Sequence, residues 1–64
     1  MMILDKAIEN LQSNLKIVVY DKNGKLFECT IGELSTQYAT IGQREVKEQP
    51  YYDTKIGAYR VEII

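Results

Sequence analysis

Nucleophilic, metal and acid–base chemistry each need particular side chains at particular spacings, and this chain supplies few of them. Its single cysteine, Cys29, alternates with the apolar Phe27 and Ile31, and there is no histidine to take its proton. Only the thiolate attacks, so a cysteine on the inward face of a strand with no base beside it reads as buried and inert. The lack of histidine removes the commonest transition-metal ligand, and one cysteine closes no intrachain disulfide. Asp21-Lys22-Asn23-Gly24 opens like a calcium loop, but such a loop wants its glycine sixth and a bidentate Glu twelfth, whereas Gly24 comes fourth. A turn explains the same residues. Glu45 with Glu48, or Asp53 with Glu62, are the carboxylate pairs on offer for acid–base work, which also demands a dry concave pocket that so small a chain can hardly line while forming a core. Gly24, Gly32, Gly42 and Gly57 are isolated, without the spacing of a phosphate loop. The expectation is a protein that is not an enzyme, with no catalytic residue, no metal and no cofactor.

Sixty-four residues make one domain at most, here residues 1–64, and a domain of about 60 residues buries only about 60% of its unfolded surface. With neither disulfide nor metal to staple it, self-association is expected. A composition 45% apolar and 27% charged is that of a chain that folds. Eight Lys and Arg against nine Asp and Glu give a net charge of −1, so nucleic-acid binding would need a local basic cluster. The opening Met1-Met2-Ile3-Leu4-Asp5-Lys6 turns acidic at once, and no apolar run approaches the roughly 18 residues of a membrane span or a signal core. A soluble protein of a reducing cytoplasm is the expectation.

The elements that would position these side chains follow from periodicity. Leu4, Ile8, Leu11 and Leu15 step by four, three and four, which predicts an amphipathic helix over residues 3–13. Leu15 to Tyr20 and Lys25 to Ile31 flank Asp21-Lys22-Asn23-Gly24 and predict a hairpin. A two-residue or a four-residue loop would turn Glu28 or Thr30 into the core. A three-residue loop with Gly24 left-handed in a bulge pairs Val19 with Phe27, Ile17 with Cys29 and Leu15 with Ile31, giving a wholly apolar inner face. Lys16, Val18, Tyr20, Leu26, Glu28 and Thr30 then form the outer face. Thr30 and Glu33 have capping-box spacing and predict a short helix over 31–38. Gln43 to Gln49 alternates with only Val46 apolar and reads as a charged edge strand. Pro50-Tyr51-Tyr52-Asp53 is expected to leave the sheet, Gly57 to permit the return, and Ala58 to Ile64 to form the last strand with Tyr59, Val61 and Ile63 inward. The fold class is therefore α+β, an N-terminal helix packed on a four-stranded, mainly antiparallel sheet in the order α-β-β-short α-β-β.

Binding is the function class left standing, and two surfaces compete for it. Val18, Tyr20 and Leu26 form an apolar patch on the outer sheet face, of the kind that marks a homo-oligomer interface. In the C-terminal half, Arg44, Lys47, Lys55 and Arg60 accompany Tyr51 and Tyr52. Cations beside aromatics suit a protein partner, where Tyr and Arg are anchors, and also suit stacked bases and phosphates, although Glu45, Glu48, Asp53 and Glu62 weigh against the latter. Tyr51 and Tyr52 also fit the simpler role of closing the edge of a small core.

Over nearly its whole length the pattern Ile3-Leu4-Asp5-Lys6-Ala7-Ile8, Lys16 to Gly24, Thr30-Ile31-Gly32-Glu33-Leu34, Arg44-Glu45-Val46-Lys47 and Tyr59 to Ile63 resembles small proteins encoded by phages and prophages of low-GC Gram-positive bacteria. The segment Tyr51 to Ile56 is longer than the link between the last two strands of such proteins. The resemblance implies accessory work in the host cytoplasm, by binding a host protein as anti-defence or anti-CRISPR inhibitors do. Occupying a partner sterically needs an anchor patch and a rim, not an active site. The alternative is a small β-sheet module that binds DNA or RNA with little sequence specificity, resembling single-strand-binding transcription-cofactor folds.

Overall fold

A computed structural model describes residues 2–64. The elements run α1 (Leu4–Ile8), β1 (Lys16–Asp21), β2 (Gly24–Thr30), α2 (Ile31–Gln37), α3 (Ala39–Gly42), β3 (Tyr51–Asp53) and β4 (Ala58–Glu62). The four strands form one sheet in the order β2-β1-β4-β3, with β1 parallel to β4 and the other two pairings antiparallel. This is the α+β class the periodicity predicts.

The hairpin has the predicted register at its core, with Ile17 opposite Cys29 and Val19 opposite Phe27. The surplus residue, however, is not Gly24. Lys22 and Asn23 keep negative φ, Asn23 N–H donates to Asp21 Oδ1 at 2.8 Å, and Gly24 takes the left-handed turn at φ +117°. Asp21 therefore pairs directly with Gly24, and the slip falls between Val19 and Tyr20, opposite Leu26. A bulge there lets Lys25 and Leu26 share the outer face with Tyr20.

Ile17 and Val19 of β1 and Val61 and Ile63 at the end of the chain are fully buried against Leu4 and Ile8 of α1 and Ile31 and Leu34 of α2. Phe27 and Cys29 are half-buried against this core, and Phe27 stacks on Tyr38 with ring centroids 4.1 Å apart. Each fully buried aliphatic side chain contributes about 1.5–3 kcal/mol, so the inner face carries most of the cohesion.

The first helix is shorter than its apolar spacing predicts. It ends at Ile8, and tight turns follow, with Leu11 N–H donating to Ile8 C=O at 2.9 Å and Leu15 N–H to Gln12 C=O at 3.2 Å. Asn10, Ser13 and Asn14 favour such turns over helix. The carbonyls of Ser13 and Leu15 are engaged elsewhere, accepting from Gly32 N–H at 2.9 Å and Ile31 N–H at 2.8 Å. These bonds anchor the start of α2, while Leu11 and Leu15 still pack on the core. The predicted capping box is present: Glu33 N–H donates to Thr30 Oγ1 at 3.2 Å and Thr30 N–H to Glu33 Oε1 at 2.9 Å.

The edge beside β4 corrects the sequence reading in two ways. Tyr51–Asp53, expected outside the sheet, is strand β3, whereas 43–49 makes only bridge-like contacts. Lys47 N–H donates to Glu62 C=O at 2.8 Å and Val46 lies opposite Ile63, so 45–47 and 51–53 both run antiparallel to β4 and its continuation. Yet Tyr51 faces Arg60 while Lys47 meets Glu62, which leaves two residues too many between them. They are expelled at Glu48-Gln49-Pro50, where Pro50 has no N–H to give a ladder.

Candidate functional site

Strand alternation puts the apolar inner residues under the helices and leaves the other face of the sheet without a covering element among the described residues. Register fixes a row across all four strands of that face: Glu28 of β2, Val18 of β1, Arg60 of β4 and Tyr51 of β3. A second row joins Lys25, Tyr20 and Glu62.

Arg60 organises the centre. Its guanidinium carbon sits 4.1 Å from the centroid of the Tyr20 ring, and Nη1 lies 3.7 Å from Asp53 Oδ2. Val18 is the register partner of Arg60, and Tyr20 lies one row further along the same strand. Val18, expected exposed as part of an oligomer patch, is only 4% exposed, because it sits mid-sheet on β1 between Glu28 of β2 and Arg60 of β4. Tyr20 is half-buried beneath the same guanidinium, while Leu26 at 42% and Tyr51 at 45% stay open to solvent.

The ion pairs of this face close on themselves. Glu28 meets Lys25 at 3.2 Å and Lys16 at 3.7 Å, Lys47 meets Glu62 at 3.2 Å, and Arg60 meets Asp53. The Lys25 hydrogen bond, then the charges of Lys25 and Lys16, hold the Glu28 carboxyl below its ordinary range. Among the described residues, each cation of the face thus has a carboxylate partner, which leaves little unbalanced positive field for a phosphate backbone.

The six residues singled out in the C-terminal half do not converge. Tyr51 and Arg60 lie side by side on the outer face. Tyr52 points to the inner side and meets Tyr59 edge-on, with centroids 5.5 Å apart. Lys55 is in the β3–β4 turn, its N–H donating to Asp53 Oδ1 at 2.9 Å. Arg44 donates from Nε, at 3.1 Å, and from Nη2 to Ile64 C=O. Of the six, Tyr51 and Arg60 therefore share the outer face with Tyr20 and Leu26 of the apolar patch. Parallel pairing of β1 with β4 brings them together, and that pairing joins residues about forty apart in the chain. Sequence reasoning missed Asp53 as the Arg60 partner, because it put Tyr51–Asp53 off the sheet.

Open clefts among the described residues lie elsewhere. One, of about 410 Å³, lies where the parallel strands β1 and β4 end; Arg44 and Lys47 line it, already bonded to Ile64 and Glu62. Another, of about 350 Å³, lies between α1 and α2 with Asp5 and Glu9 at its wall. Cys29 is in neither. Burial and then the charge of Glu33 push its thiol pKa up, away from the thiolate. Among the described residues no three His, Cys, Asp or Glu side chains are grouped to hold a metal ion, and no helix is long and apolar enough to cross a membrane. Compared with protein-family models, curated proteins and solved structures, the chain matches none.

Proposed function

We propose that this chain is a non-catalytic binding module that docks on another protein through the outer sheet face, with Arg60, Tyr20 and Tyr51 as its anchor. The observation that carries this reading is that the helices cover one side of the sheet while Arg60, stacked on Tyr20 beside Tyr51, occupies the centre of the other. Tyr and Arg are the residue types that dominate interface energetics. Tyr20 and Asp53 already fix the guanidinium, so a partner orders little more on docking. Lys16, Lys25, Glu28, Lys47 and Glu62 supply a charged rim around that centre. In the setting the phage resemblance implies, the partner is a cytoplasmic host protein, and the module inhibits it by occupying its surface, as an anti-defence or anti-CRISPR inhibitor does.

Affinity capture from host extract tests the reading when run with three forms of the protein. Wild type and Tyr52→Ala should retain the same host protein, and Tyr51→Glu should lose it, all three melting as folded proteins. Retention by Tyr51→Glu equal to wild type would remove the outer face from the mechanism. A gel shift with single-stranded DNA at low salt, abolished by Tyr51→Glu, would replace the protein partner by nucleic acid, since aromatic and Arg side chains also stack on bases.

A further inference from the structure

We infer that a second copy of the chain covers the outer face when no other partner does, in a two-fold dimer whose axis runs along the strands. The inference rests on that face being the docking surface and names its resting occupant.

The sheet edges offer a second copy little. Ile31 N–H donates to Leu15 C=O, so antiparallel alternation turns the N–H and C=O of Glu28 and Thr30 outward along β2. Glu33 already takes the Thr30 N–H, and the slip at Leu26 breaks the ladder beyond Glu28. On the far side β3 has three residues, Pro50 precedes it, and Met2 C=O is bonded to Val46 N–H at 2.9 Å. Bulges, proline and short strands are the usual guards against edge pairing. The face is what remains.

Its size is adequate for a modest dimer. At about 3.3 Å per residue and 4.8 Å between strands, β1 and β2 are about 20 Å long, β4 about 17 Å and β3 about 10 Å, and with residues 45–47 beside the end of β4 they present roughly 370 Å² of planar area. Side-chain relief adds to this, so two faces together reach the roughly 1,000 Å² at which specific interfaces begin.

Its charge is self-complementary in one orientation. The β1–β2 half of the face carries Lys16 and Lys25 against Glu28. The half formed by β4 and its edge carries Arg60 and Lys47 against Asp53, Glu62 and Glu45; Val46 pairs with the inward Ile63, which turns Glu45 and Lys47 outward. One half is net positive and the other net negative. A two-fold axis along the strands lays β1–β2 of one copy over β4 and its edge in the other, opposite on opposite. An axis across the strands would lay like on like, which is disfavoured. The same anchor then serves the second copy and the foreign partner, so self-association and partner binding compete.

Sedimentation equilibrium at low salt over a wide concentration range tests this. Wild type should approach twice the chain mass at the concentrated end. Lys25→Glu and Glu62→Lys should each weaken the dimer about tenfold, acting at two symmetry-related contacts. The double variant Lys25→Glu/Glu62→Lys reverses both halves and should recover most of the loss. A single-chain mass at every concentration would overturn the inference, and so would a double variant weaker than either single one. Thermal melts confirm that each variant is folded. Tyr51→Glu, at an exposed site, should also dissociate the dimer without lowering the melting temperature. If the chain stays monomeric yet Tyr51→Glu still loses the host protein, the dimer falls and the docking reading stands.

Discussion

Gly42 is packed so closely on Asp5 that a β-carbon there would overlap the Asp5 carboxylate, which accepts from Gln43 Nε2 at 3.3 Å. Gly42→Ala must swing that carboxylate aside, and because it is the free end of a flexible, half-exposed side chain the cost is chiefly the lost Gln43 hydrogen bond, about 0.5–1.5 kcal/mol. In an Asp5→Ala background the obstacle is gone and alanine is the better helix former, so Gly42→Ala should become neutral or stabilising; urea melts of the four proteins in the cycle measure the difference. The pKa values of Cys29 and Glu28 are shifted in opposite directions. Burial first and Glu33 second raise the Cys29 pKa, so the folded state holds this proton more tightly than the unfolded one. Its contribution to stability is complete below the unfolded value of about 8.5 and fades as pH rises through the higher folded value. Alkylation by iodoacetamide at pH 8 should accordingly be slower in the native protein than in urea. Glu28 is lowered, chiefly by the Lys25 hydrogen bond, so its small contribution is present above the unfolded pKa and lost as pH falls through the folded one. Lys25→Gln should move the Glu28 carboxyl titration upward, as followed by carbon NMR.

Elements were legible in the sequence wherever the signal was local. The capping box at Thr30 and Glu33 is a spacing of three residues, and it appears as read. Replacing Thr30 by alanine frees the Glu33 N–H and should cost about 1 kcal/mol in a thermal or urea melt. The inward set of the hairpin was legible because a one-residue slip would bury Glu28, a penalty that sequence alone exposes. What misled was competition from distant parts of the chain. The apolar spacing from Leu4 to Leu15 is truly helical, but the Ser13 and Leu15 carbonyls tie that stretch to the start of α2, and beyond Ile8 the N–H groups turn to nearer carbonyls, Leu11 to Ile8 and Leu15 to Gln12, in place of a continued helix. Charge alternation over 43–49 resembles an edge strand, and those residues do lie beside the end of β4, but the regular ladder forms at Tyr51–Asp53, where the turn at Gly57, φ +65°, sets the pairing. The Phe27–Tyr38 stack likewise joins β2 to the end of α2 across a span that periodicity does not encode.

At the scale of the whole molecule, parallel pairing of β1 with β4 decides what the outer face is, because it brings Arg60 beside Val18 and one row from Tyr20. The sequence shows Val18, Tyr20 and Leu26 as a greasy patch and Arg60 as part of a basic cluster; only the strand order, β2-β1-β4-β3, lays the arginine on the Tyr20 ring of that patch. This separates two kinds of outer-face residue that a contact experiment would otherwise confuse. Val18, at 4% exposure, works inside its own chain, whereas Tyr51, at 45%, has surface left for a partner. Val18→Ala removes buried methyl groups and should cost about 1–2 kcal/mol in a urea melt while leaving association intact. Tyr51→Glu should do the reverse, keeping the melt and losing association, because an exposed aromatic contributes little to the isolated fold and much to a desolvated contact. Arg60→Ala belongs to both classes, since it removes the Tyr20 stack and the Asp53 ion pair together with the proposed anchor, so its losses in stability and in association should appear in one protein. If Val18→Ala dissociates the assembly without touching the melt, Val18 contacts the partner directly and does not act through burial in its own chain.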